Sequence, residues 1–158
     1  GIGETSATLI TLTFQMTKKY LKNASDKKLK KYDGPDSVKE LLMSKYLGAR
    51  EEMVFMLSLD FDDNILAVNK IAHGTFSAAN IDKRLVLETA FRNKARSVVL
   101  IHNHVNGIPV PSRDDLNTTK AVGDFFQGVN VHLLDHLIYT DEDIFSMAQI
   151  KKFAPLFI

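Results

Sequence analysis

Ser97-Val98-Val99-Leu100-Ile101-His102-Asn103-His104 is the stretch on which the fold turns. A short apolar run rich in β-branched residues, with no polar alternation, predicts a strand covered on both faces, as in a sheet with helices on either side. The strand is expected to end at His102. Upstream, Arg84 to Lys94 reads as a helix with Leu85, Val86, Leu87, Ala90 and Phe91 turned inward. Downstream, a polar loop containing Gly107, Pro109 and Pro111 runs from Asn103 to Ser112 and leads to a helix from Arg113 to Phe126. Val131 to Tyr139 then reads as a strand, and mixed short elements follow from Ile144.

Further upstream, Met53 to Asp60 and Ile65 to Ile71 flank the turn-forming Asp62-Asp63-Asn64, which predicts a β-hairpin. Asp36-Ser37 can cap a helix running to Tyr46, closed by Gly48 in the left-handed conformation. Strands alternating with helices make the chain α/β or α+β, and no internal repeat is evident. The amphipathic stretch from Thr5 to Asn23 predicts one further helix, so an N-terminal segment is expected over 1–23. A lysine-rich linker ending in Gly34-Pro35 is expected over 24–35, and the main body over 36–158.

Composition narrows the chemistry. The 158 residues, 45% hydrophobic and 25% charged, suit one domain with a short extension. The net charge of +1, from 20 basic and 19 acidic residues, does not favour a strongly electrostatic partner for the body. Cysteine is absent, which excludes disulfides, thiolate nucleophiles, iron–sulfur clusters and Cys-ligated zinc. No apolar run is long enough to span a bilayer and the start does not resemble a secretion signal, so the expectation is a cytoplasmic protein without a membrane partner.

The informative constellation is His102-x-His104, then Asp115 after ten intervening residues, with Ser112 three before it. Histidines at i and i+2 of an extended segment share one side, so both imidazoles can reach one ion. A loop and the first turn of a helix can return Asp115 to the strand end. Two histidines and a carboxylate suit Zn2+, and three protein ligands leave a fourth position for a water that ionises near neutral pH. Such chemistry needs a carboxylate base close to the water; Glu51 and Glu52 both stand at the start of the first strand, and periodicity alone leaves them open. Ser112 could donate to an oxyanion, and it could equally be the N-cap of the helix.

His102-x-His104, Asp115, Ser112 and an upstream Glu resemble the JAMM or MPN+ metalloprotease motif. More narrowly, the segment resembles the RadC family, with Pro111-Ser112, Asp115 and Thr118 or Thr119 in its pattern and Gly74-Thr75, Arg84 and Asp135-His136 as further matches between Asp36 and Met147. The departures are Val105 and Asn106, where that family usually has Pro and Ser. The resemblance implies a cytidine-deaminase-like α/β fold of the JAB/MPN type, a mixed sheet with helices on both faces. It implies His102, His104 and Asp115 as metal ligands. It places the general base at Glu52, eight residues before Asp60, with Glu51 as the fallback. It also implies a helix-hairpin-helix ahead of the catalytic body, of which Gly1-Ile2-Gly3 and the helix after it would be a remnant able to touch DNA.

The remaining histidines and basic residues carry less. His73 and His132 read as solvated or structurally bonded, and His136 as structural or as a support for the site. Lys27, Lys28, Lys30 and Lys31 read as a solvated run, while Arg84 and Arg113 could bind a substrate carboxylate. The expected function is zinc-dependent hydrolysis of an amide bond in a protein or peptide by a metal-activated water. The alternative is a DNA-associated accessory protein for repair or recombination whose zinc site is structural or acts on a partner.

Overall fold

The computed structural model describes residues 2–28, 31–74 and 81–157. Gly1 of the expected hairpin, Lys30 of the lysine run and Thr75 of the Gly74-Thr75 turn lie outside the described residues, as do the side chains of Lys27 and Lys28. Four α-helices occur among the described residues: α1 Glu4–Lys28, α2 Lys39–Tyr46, α3 Lys83–Arg92 and α4 Arg113–Gln127. The strands are β1 Met53–Leu59, β2 Ile65–His73, β3 Ser97–Asn103, β4 His132–Tyr139 and β5 Ile144–Ser146.

Two N-terminal expectations are corrected. Helix α1 continues past Asn23 to Lys28, into the stretch expected as linker, because Ala24 to Lys28 contains neither Gly nor Pro to stop it. Asp36 and Ser37 do not cap α2. Pro35 instead opens a 3-10 turn, Pro35–Val38, that leads into it, as suits a residue whose fixed φ favours a first helical position. The Ser37 hydroxyl donates to the Gly34 carbonyl at 2.6 Å and accepts from the Asp33 N–H at 3.1 Å. Gly48 behaves as expected, with φ +70° just past the end of α2. A Cβ at Gly48 would also lie 2.4 Å from the Phe14 ring, so glycine is what lets α1 approach α2 there.

The sheet has five strands in the order β2-β1-β3-β4-β5. It is mixed: β1 is antiparallel to both β2 and β3, β3 is parallel to β4, and β4 is antiparallel to β5. The hairpin turn forms around Asp60, whose Oδ1 accepts from the N–H groups of Asp62 and Asn64 at 2.9 and 2.8 Å. Asp63 there takes a left-handed φ of 61°, a conformation Asp tolerates better than most residues.

Each face of the sheet has its own core. Val54 and Met56 of β1 and Val98 and Leu100 of β3 pack with Val86 and Ala90 of α3 and Val122 and Phe126 of α4. On the opposite face Phe55, Leu57, Val99, Ile101 and Leu137 pack with Leu41, Leu42 and Tyr46 of α2 and with Tyr32. Alternation along β3 therefore turns even-numbered residues toward α4 and odd-numbered ones toward α2. In β4 this pattern shifts. Val98 pairs with Leu133 but Val99 with Asp135, so a bulge at Leu134 moves the later residues one place along. His136 consequently pairs with Leu100 and faces α4, while Asp135 pairs with Val99 and faces α2.

Asp135 is buried, and all four of its contacts are donors. Its Oδ1 accepts from the N–H groups of His136 and Ala148 at 2.7 and 3.0 Å. Its Oδ2 accepts from the hydroxyls of Tyr32 and Ser146 at 3.0 and 2.5 Å. This carboxylate ties β4, the residues after β5 and the segment before α2 together. Asp135→Ala leaves several buried donors unsatisfied and is expected to destabilise the fold by about 3 kcal/mol or more in urea unfolding, whereas Tyr32→Phe, which removes a donor cleanly, should cost about 1 kcal/mol. Equal costs would mean that the carboxylate is not the hub of this network.

Candidate metal centre

Strand β3 carries His102 on the α4 face, fully buried. The chain then leaves the sheet in register with β4, the His104 N–H donating to the Tyr139 carbonyl at 2.9 Å. His104 thus lies on the same side as His102, two residues further on. The loop over 104–112 turns back and α4 begins at Arg113, so that Asp115, in the first helical turn and buried, comes to face both rings. His102 Nε2 lies 3.1 Å from Asp115 Oδ1, and His104 Nε2 lies 3.3 Å from Asp115 Oδ2. One ligand atom from each of the three residues lies within 4.8 Å of the others, an arrangement able to hold a metal ion.

Ser112 and Asp115 form a capping box. The Asp115 N–H donates to Ser112 Oγ at 3.1 Å, and the Ser112 N–H donates to Asp115 Oδ2 at 2.7 Å. The Ser112 hydroxyl proton is directed at the same Oδ2, also at 2.7 Å. Ser112 thus caps α4, and its hydroxyl points at the carboxylate that faces both histidines. Burial pushes the Asp115 carboxyl up, but where protons on the facing imidazoles stand in place of a metal, hydrogen bonds from His102, His104 and Ser112 outweigh it and hold the group well below the usual carboxylate range.

The donor set fits a cation. His104 Nδ1 lies 2.7 Å from the Ile108 carbonyl; a carbonyl only accepts, so the ring proton sits on Nδ1 and the Nε2 lone pair faces the Asp115 carboxylate. Two acceptors turned toward each other call for a positive charge between them. Without a metal that charge is a proton, and the His104 pKa is raised chiefly by its hydrogen bond with Asp115, against the opposing effect of burial. Nitrogen from two imidazoles and oxygen from one carboxylate suit a divalent transition metal with room for a further ligand.

Of the two glutamates, Glu52 is the one turned toward the histidines. The β1–β3 register pairs Val54 with His102, and continuing it past the end of β1 sets Glu52 opposite His104, on the face that His102 shares. The Glu52 charge is among those that raise His104. Glu51 lies in a bend ahead of β1 and is exposed. The backbone on either side of Glu52 is gripped by Asn103, a residue the sequence did not single out. Its Oδ1 accepts from the Met53 N–H at 2.7 Å and its Nδ2 donates to the Glu51 carbonyl at 3.1 Å. The Gly74 N–H donates to the Glu52 carbonyl itself at 2.8 Å.

His136 stands behind His102, ring nitrogen to ring nitrogen at 2.8 Å, and Thr119 of α4 stands behind His136 at 2.6 Å. Burial holds the His136 pKa well below that of an ordinary histidine. Of Thr118 and Thr119, the two candidates for the threonine of the family pattern, it is Thr119, one helical turn after Asp115, that meets His136. A cavity of about 210 Å³ has His104, alone of the three cluster residues, in its wall, together with Tyr46 and Tyr139 from the α2 face and with Asp141 and Glu142. A larger cavity of about 320 Å³, between α4 and the start of β4, is lined by Lys120, Gln127, His132 and Leu156 and by none of the ligand residues. Size alone would direct attention to the wrong end of the sheet. His73 is exposed at the end of β2. Arg84 is committed to Glu88 at 2.6 Å on the surface of α3, and Arg113 is exposed at the start of α4.

No helix among the described residues is long and apolar enough to cross a membrane. A family model described as the RadC-like JAB domain matches residues 32–152. A UPF0758 protein of Alkaliphilus oremlandii is 33% identical over 121 residues, covering 77% of this chain and 52% of that protein. Another, from Paracidovorax citrulli, is 30% identical over 149 residues, 94% of this chain and 62% of its own length. A third, from Clostridium perfringens, is 28% identical over 149 residues, 94% of this chain and 65% of that protein. The chain thus spans less than two thirds of the length of these curated relatives. With a family model matching most of its length and two histidines and an aspartate converging at the end of β3, the chain belongs to the RadC-like JAB domain family.

Proposed function

We propose that the chain is a zinc-dependent hydrolase of amide bonds acting on a peptide or isopeptide, with His102, His104 and Asp115 as metal ligands. The observation that carries this reading is the convergence of two imidazole Nε2 atoms on one buried carboxylate, with Glu52 set across the strand gap from His104. A zinc ion held there supplies Lewis acidity and lowers the pKa of a water in the remaining position. Glu52 takes a proton from the attacking water as its oxygen bonds to the amide carbon, and returns that proton to the departing nitrogen as the C–N bond breaks. Ser112, with its hydroxyl beside Asp115 Oδ2, is placed to redirect that donor to the oxygen on which charge develops.

Substrate binding is assigned to the cavity beside His104 and to the loop after it. Val105, Ile108 and Val110 are exposed there, more than half of each surface facing solvent. Apolar side chains at the rim of a polar cleft suit an extended peptide better than a small polar molecule. The DNA-associated alternative rests on the N-terminal resemblance. Among the described residues that segment is the single helix α1, and Gly1 of the expected hairpin lies outside them.

Two measurements test the reading. Elemental analysis of protein purified without chelator should find about one zinc per chain, lost in both His104→Ala and Asp115→Ala. Absence of stoichiometric metal from the unaltered chain would falsify the hydrolase reading and leave DNA association ahead, to be sought as binding that weakens steeply with salt. Glu52→Gln should keep its zinc while cleavage of a fluorogenic peptide or isopeptide library falls about 10²–10⁴-fold. Undiminished cleavage in that variant would move the base elsewhere, with Glu51→Gln as the next comparison.

A further inference from the structure

The ligand His102 is the start of a buried chain of hydrogen bonds that returns to the other end of the site. Thr119 Oγ1 lies 2.6 Å from the Asp115 backbone carbonyl and 2.6 Å from His136 Nδ1. A carbonyl only accepts, so the single hydroxyl proton of Thr119 is committed to Asp115. The Thr119 oxygen must then receive a proton from His136 Nδ1. His136 and Thr119 are both fully buried, and a second ring proton would place an imidazolium out of reach of water and directly against another histidine. His136 therefore carries its one proton on Nδ1 and offers Nε2 as acceptor. His102 Nδ1, 2.8 Å from that Nε2, is the donor, and its own Nε2 lone pair is turned to Asp115 Oδ1 at 3.1 Å.

We propose that Thr119 and His136 are positioning residues that select the Nδ1–H tautomer of His102 and hold its Nε2 toward the metal. The bonds form a ring: Asp115 carbonyl, Thr119, His136, His102, and across the ion position to the Asp115 carboxylate. One residue of α4 thus sets both its own ligand atom and, through two side chains, the ligand atom on β3. His104 needs no such relay, because the Ile108 carbonyl fixes its tautomer directly. The division follows from burial. His104 lies at the loop, where backbone carbonyls are free to turn inward, whereas the carbonyls flanking His102 are engaged in the sheet and its acceptor must come from a side chain.

The proposal rests on the metal reading above, and its test separates the two. Zinc affinity of the full chain is measured by competition with a chromophoric chelator for the unaltered protein, Thr119→Val and Thr119→Ser. Thr119→Val keeps the shape but removes the hydroxyl, and should bind zinc about 10–100-fold more weakly. Thr119→Ser restores the hydroxyl and should return to within about threefold of the unaltered chain. Equal affinity in Thr119→Val overturns the proposal alone, whereas no zinc uptake by the unaltered chain removes the metal reading and the proposal together. Should Thr119→Val fail to fold, nitrogen NMR of the unaltered chain decides instead. A His136 proton on Nδ1 supports the relay, and one on Nε2 overturns it.

Discussion

The bulge at Leu134 of β4 is the constraint on which the site depends. Strand side chains alternate, so one added residue exchanges the faces of everything beyond it. With the bulge, His136 pairs with Leu100 and meets α4, and Asp135 pairs with Val99 and meets Tyr32. Without it, the carboxylate of Asp135 would stand behind His102, and His136 would be turned into the apolar core around Leu41 and Leu42. A carboxylate there would compete with Asp115 for His102; an imidazole on the other face would find no partner equal to the four donors that Asp135 collects. The adjacent pair Asp135-His136 works only because each residue is assigned to its own face.

The same economy governs the start of α4. A helix N-terminus leaves N–H groups to satisfy and favours negative charge. Asp115 answers both needs through the capping box while its two oxygens face the histidines. Ser112 holds it by the backbone N–H and by the hydroxyl, so the direction of the carboxylate is set by helix formation itself. Fold and candidate site are thereby coupled at one residue: whatever frays the first turn of α4 also turns the Asp115 carboxylate away from the two histidines.

Much of this was legible in the sequence because it is local. The strand and helix types around His102, the i, i+2 histidines and the helix start at Ser112 follow from periodicity and from turn residues, and they were found close to the expected bounds. The family pattern points to Glu52, and the β1–β3 register, continued past Val54 and His102, sets that residue opposite His104. What stayed hidden depends on partners distant in sequence or on a single register shift. Asn103 reads as a loop residue until β1 is laid beside it. Thr118 and Thr119 read alike until β4 brings His136 against Thr119. Lysine is a good helix former and no Gly or Pro falls between Ala24 and Lys28, so that stretch is helical although its charge suggests a linker.

Support from behind the sheet completes the arrangement. Tyr46, at the end of α2, is buried and stacks on Tyr139 with ring centroids 5.1 Å apart. Its hydroxyl reaches the carbonyls of Met53 and Ile101 at 3.2 and 3.0 Å, one on β1 and one on β3. The strands that carry Glu52 and His102 toward the site are thus pinned together just before they end, from the face opposite the ligands. Burial pushes the Tyr46 phenol well up, so it remains a neutral donor. Held by α4 on one side and by Tyr46 on the other, the strand ends have little freedom to rearrange, so the convergence of His102, His104 and Asp115 is built into the fold.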